Sequence, residues 1–212
     1  TALFDGYPLE QAVEEIALAG ARAVEPAYIR GYVDFDEDAF SEACAARMRA
    51  ILEAARLPAL AVSAHMDLGL PDALAMLERR VRYAAGIGAR LVITNAGSAS
   101  RRETVLRVLE RAIPVCEQSG IVIALENPGH GEGDILGDGR AGAQFMASVA
   151  SPFVRLNYDA GNVFTYSTER IQPHADFPAA RDHVAHLHLK DVLSTAEGWR
   201  FTAIGDGSVD YA

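Results

Sequence analysis

Hydrophobic residues in this chain fall into two periods that alternate from end to end, one suited to strands and one to helices. Leu9, Ala12, Val13, Ile16 and Ala17 follow Pro8 at helical spacing, with the proline where a helix would start. Ala21–Glu25 then reads as a strand. Phe40, Ala43, Met48, Ile51, Leu52 and Ala55 mark the next helix, and Leu60–His65 the next strand. The alternation continues through helix 72–87, strand Leu91–Asn95, helix 102–119, strand 121–126, helix 139–150, strand 153–159, helical signals over 167–183 and strand 184–190. With an opening run at Thr1–Phe4, strand ends fall near 4, 25, 65, 95, 126, 159 and 188. After the first, they lie roughly 30 to 40 residues apart, the length of one strand–helix unit.

Repetition of that unit predicts a parallel sheet covered by helices. No Gly-rich turn follows the first strand, which weighs against a doubly wound open sheet. The expected fold class is therefore α/β, a (β/α)8 TIM barrel, as a single domain over residues 1–212. Seven strands, and a helix-entry pattern at Val209-Asp-Tyr-Ala212, place its last strand and helix beyond Ala212.

Side chains alternate across a strand. Ile121, Ile123 and Leu125 share one face, while Val122, Ala124 and Glu126 share the other. Likewise Val154, Leu156 and Tyr158 oppose Arg155, Asn157 and Asp159, and Ala185, Leu187 and Leu189 oppose His186, His188 and Lys190. One face of each strand suits packing on helices. The other delivers a polar group at the C-terminal end, where parallel barrels assemble their sites. Glu126, Asp159 and His188 offer two carboxylates and an imidazole, a donor set for a borderline divalent ion such as Zn²⁺, Mn²⁺ or Co²⁺.

Composition removes other classes. Half the residues are hydrophobic, enough to bury one sizeable core. No apolar run reaches the ~18 residues of a membrane span, and no signal-peptide pattern is visible. Two cysteines, Cys44 and Cys116, favour a reducing, cytoplasmic setting over a disulfide scaffold. A net charge of −10 disfavours nucleic acid as the partner.

The words around the three donors carry a resemblance. Leu-Glu126-Asn127, Asp159-Ala-Gly-Asn162, His186-Leu-His188-Leu-Lys190-Asp191 and Gly205-Asp-Gly-Ser-Val-Asp210-Tyr211 stand in the order seen in the xylose isomerase-like TIM barrels. In that superfamily the chain resembles the sugar isomerase/epimerase branch. The resemblance implies a metal-dependent isomerase or epimerase of a small sugar or polyol-derived ketone, working through an enediolate. It implies one divalent ion (Mn, Zn, Co or Mg) on Glu126, Asp159 and His188, with a fourth ligand expected beyond Ala212. Glu126 takes the place of a residue that both binds metal and moves the substrate's proton. Lys190, two residues past His188, is expected to donate to a developing oxyanion or to bind a substrate hydroxyl.

His65, Asn127, Asn162, His186 and Glu25 complete the expected substrate-binding set. Each has a plainer reading. His186 suits a hydrogen-bonded core histidine, Glu25 a helix-start or loop carboxylate, and His65 an ordinary strand-end polar group. Asn162 stands where the Asp-x-x-His motif of related enzymes has its histidine. The loop Gly129-His-Gly-Glu-Gly-Asp134, with His130 and Glu132, is either a cover for the site or surface. Arg101-Arg102 reads as the solvated start of a helix. The expected partner is a small sugar or polyol, with no membrane, and a homo-oligomer is left open. Alternatives are a lyase resembling inosose dehydratase, an apurinic endonuclease, or an idle barrel that binds a sugar.

Overall fold

The computed structural model describes residues 1–4, 6–127, 133–167, 169–196 and 198–211. Six strands form one sheet: β1 (Ala27–Tyr28), β2 (Ala61–Ala64), β3 (Leu91–Asn95), β4 (Val122–Glu126), β5 (Val154–Asp159) and β6 (Val184–His188). Their order follows the sequence without reversal, and every neighbouring pair is parallel. This excludes the doubly wound alternative, in which strand order reverses at a switch point. The helices are α1 (Leu9–Leu18), α2 (Glu42–Ala55), α3 (Ala73–Ile87), α4 (Arg102–Ser119), α5 (Gly139–Val149), α6 (Ala160–Tyr166) and α7 (Pro173–Ala180). The result is a partial (β/α)8 barrel, six parallel strands curled with helices outside.

Local chemistry sets the helix ends. The Ser41 hydroxyl accepts from the Cys44 N–H and caps α2, and the Asp138 carboxylate accepts from Ala141 N–H to cap α5. Gly88 and Gly120 close α3 and α4 at φ of 83° and 67°, backbone that favours glycine.

The two faces of the sheet bury different sets. Val62, Val92, Ile123, Leu125, Leu156 and Tyr158 join the main core with the helices. Ala61, Ile93 and Ala124 form a small separate cluster on the inner face. The period-two reading of these strands therefore matches the packing.

β6 departs from that reading in two ways. Its register against β5 shifts by one residue, from Leu156 opposite Val184 to Asn157 opposite His186. Val184 consequently packs with the helix-side core although it shares parity with His186. Leu187 and Leu189, expected under helices, are 48% and 55% exposed and border the inner cavity with Phe201. After Lys190 the chain folds into an antiparallel hairpin, β7 (Asp191–Thr195) and β8 (Gly198–Thr202), with Trp199 packed edge-on against Phe164.

The opening run is a 3₁₀ turn over Ala2–Phe4 and pairs with no strand. The strand expected at Ala21–Glu25 is reduced to a bridge between Val24 and Ala59, and pairing resumes at Ala27. Pro26 between them has no N–H for the ladder. Val209–Tyr211 forms no helix. Instead the Val209 N–H donates to the Asp191 carboxylate. Among the described residues no helix is long and apolar enough to cross a membrane.

Candidate active site

Strand register brings the expected donors together. Glu126 ends β4 opposite Asn157, and Asp159 ends β5 opposite His188, the last residue of β6. The Glu126 and Asp159 side chains are almost fully buried, with 8% and 4% exposed, and His188 is a quarter exposed. The His188 Nδ1 lies 2.6 Å from Glu126 Oε1 and 3.9 Å from Asp159 Oδ2. The three donor atoms lie within 4.8 Å of one another. Ligands held at about 2.0–2.3 Å from a common ion span that distance to within a few tenths of an ångström. By proximity and donor type these residues could hold a divalent ion.

These donors open onto a cavity of about 530 Å³ that Glu25, His65, Asn162 and Lys190 also line. The His65 Nε2 stands 3.7 Å from Glu126 Oε2. The Lys190 ammonium lies 3.1 Å from Asp159 Oδ2 and donates to Asn162 Oδ1. Asp159 also caps α6, its carboxylate accepting from the Asn162 N–H at 2.8 Å, so one residue both ends a strand and begins a helix. A groove of about 640 Å³ outside the barrel, between α2 and α3, holds no comparable convergence. Its Arg49 and Arg82 pair with Glu53 and Glu78 of their own helices.

Asn127 and His186 do not line the cavity. Asn127 spends its amide on the Asp159 backbone, accepting from the N–H at 3.0 Å and donating to the carbonyl at 3.4 Å. It fixes the height of Asp159 instead of facing a ligand. His186 contacts Asn157 Oδ1 through Nδ1 at 3.0 Å, the hydrogen-bonded reading. Two residues without an assigned role enter the network. Asn157 Nδ2 donates to Glu126 Oε1 at 2.9 Å, and the Ser63 hydroxyl donates to Glu25 Oε1 at 2.5 Å. Alternation places Asn157 on the face of Asp159, so strand parity carried its signal. Arg101 pairs with Asp67, and Arg102 reaches Ser148 and Glu103, so both arginines are engaged with protein partners. His130 and Glu132 lie outside the described residues.

The electrostatics separate the two carboxylates. Burial works against a charged Glu126. The His188 hydrogen bond and the nearby His65, His188 and Lys190 charges outweigh it and lower its pKa. Burial raises Asp159, and the Glu126 charge adds to that rise while Lys190 opposes it. Burial alone would depress His188, but hydrogen bonds to Glu126 and Glu25 hold its imidazolium up to about 10. Burial pushes His186 down. Two acids with diverging affinities for a proton, one of them ionised beside donors, suit proton transfer.

Residues 13–212 match the xylose isomerase-like TIM barrel family, and the chain belongs to that family. Similar solved structures include a D-tagatose 3-epimerase-like protein, with TM-score 0.77 and 14% identity over 99% of this chain and 80% of that one. A xylose isomerase-like TIM barrel protein from Mycobacterium smegmatis in complex with magnesium has TM-score 0.76 and 16% identity over 97% and 76%. D-allulose 3-epimerase from Methylomonas sp. in complex with D-allulose has TM-score 0.72 and 18% identity over 99% and 74%. Among curated proteins, no sequence match is found. Identities this low carry the fold; the chemistry rests on the residues.

Proposed function

We propose that this protein is a divalent-metal-dependent isomerase or epimerase of a small sugar or polyol-derived ketone. One observation carries the reading: the buried, ionised Glu126 carboxylate converges with Asp159 and His188 at the strand ends, beside the Lys190 ammonium. Glu126, Asp159 and His188 would hold the ion, whose charge stabilises an enediolate when bound. Glu126 is the base, taking the proton from the carbon beside the substrate carbonyl and returning it elsewhere. Lys190, held by Asp159 and Asn162, directs its N–H groups toward the oxygen that gains charge. His65 stands on the other side of Glu126 and orients a substrate hydroxyl.

The test is solvent exchange on full-length protein supplied with Mn²⁺ in deuterated water, against a panel of ketohexoses and keto-inositols. Wild type should place deuterium beside the carbonyl of one of them. Glu126→Gln should lower turnover by at least ~100-fold, the loss expected for a general base. Deuterium uptake accompanied by loss of water would redirect the reading to a lyase. Robust abasic-DNA cleavage with no exchange into any ketone would overturn it.

A further inference from the structure

Glu25 stands apart from the three donors, on the segment entering β1, yet its carboxylate reaches across the barrel to β6. Its Oε1 accepts from the Ser63 hydroxyl at 2.5 Å and lies 3.0 Å from His188 Nε2, and its Oε2 lies 3.5 Å from His186 Nε2. The far nitrogen of the same His188 ring, Nδ1, faces Glu126 and Asp159. His188 is therefore clamped edge to edge between one carboxylate outside the donor set and two within it. The clamp closes on itself: Asn157 contacts His186 through Oδ1 and Glu126 through Nδ2.

An imidazole can give a lone pair to an ion only from the nitrogen without a proton, and a partner on the other nitrogen decides which one that is. We infer that Glu25, braced by Ser63, is a positioning residue that keeps the His188 proton on Nε2 when an ion takes the place of the one on Nδ1, so that Nδ1 binds the metal. Glu25 lines the cavity, but both of its oxygens already face protein groups, so it orients a ligand residue in preference to gripping substrate. Ser63 supports this arrangement from β2. It is buried, and its hydroxyl fixes the rotamer of Glu25.

This inference rests on the proposed metal site, and the experiment separates the two. Zn²⁺ affinity of full-length protein stripped of metal is measured by competition with a chromophoric chelator. Glu25→Ala should weaken Zn²⁺ binding about 10–100-fold, the loss seen when an orienting partner is removed. Glu25→Gln keeps an acceptor oxygen and should lose less, and Ser63→Ala should fall between Glu25→Ala and wild type. Long-range ¹H–¹⁵N spectra of the Zn²⁺-loaded wild type should show His188 protonated at Nε2 and metal-bound at Nδ1. Metal bound at Nε2 instead overturns the inference, whatever the variants do. So does a Glu25→Ala protein that binds Zn²⁺ within twofold of wild type while its KM for substrate rises. Failure of wild type to bind one Zn²⁺ removes the proposed function, and the inference with it.

Discussion

The residue after Lys190 shows how much one carboxylate can organise. Asp191 is buried, and the backbone N–H groups of Val192, Gly205, Gly207 and Val209 all donate to it at 2.9–3.0 Å. A Cβ at Gly207 would collide with that carboxylate, so the loop approaches as closely as a glycine permits. Burial works against the charged form, but the four donors outweigh it and hold the Asp191 carboxyl below the usual carboxylate range. Because the folded pKa is depressed, the stabilisation is present above the unfolded value of ~3.9 and is lost as pH falls further. Asp191→Asn should cost about 1–3 kcal/mol, since donors are left without a full set of acceptors. Acid unfolding followed by Trp199 fluorescence should lose its steepest step below about pH 4 in that variant. In the sequence Asp191 was legible only as part of a family word. Three of its four partners lie 14 to 18 residues later, a distance that no short-range pattern spans. Glu126, Asp159 and His188 were readable because each ends a run of alternating apolar residues. The bonds of Asn127 to the Asp159 backbone were not legible for the complementary reason: they cross from one strand to the next.

Among elements, the central ones follow their patterns closely. α4 spans Arg102–Ser119 and β3 spans Leu91–Asn95, as spacing predicts. Both are long or strongly patterned and end at clear signals. The β7–β8 hairpin was missed because each strand is only five residues long: Val192 and Leu193 are adjacent in β7, and the Trp199-Arg-Phe201 alternation of β8 is too short to stand out. The short helix α6 was missed because its start is dictated by Asp159, which the strand pattern presents as a strand end and not as a helix cap. Where elements meet, small residues set the approach. Gly142 of α5 faces Leu156 of β5, and a Cβ there would sit 3.0 Å from Leu156 Cδ1. Gly142→Val should overpack this contact and cost about 1–3 kcal/mol. Calorimetry should record about 2–4 °C lower melting temperature for each kcal/mol lost.

Taken whole, the molecule gathers Glu25, His65, Glu126, Asp159, His188 and Lys190 around one cavity. A ligand that binds only the folded state adds to global stability. Mn²⁺ or Zn²⁺ at about 100 times its dissociation constant should therefore stabilise the protein by about 2.7 kcal/mol. That gain should vanish in His188→Ala, as read by thermal shift with and without metal.

The slipped register of β6 has a consequence for how this sequence can vary. Asn157 faces His186 and Asp159 faces His188 only because two residues of β6 are taken up against one step of β5. Deleting Leu187 would send His188 and Lys190 to the outer side of the sheet, whereas deleting Ala185 would restore an even ladder with the same partners, Val184 on Leu156 and His186 on Asn157. Substitutions at that position leave the phase intact. β6 should thus tolerate the loss of its bulge residue but not of a residue beyond it: deleting Leu187 should cost metal affinity outright, while deleting Ala185 or replacing it by serine should keep it.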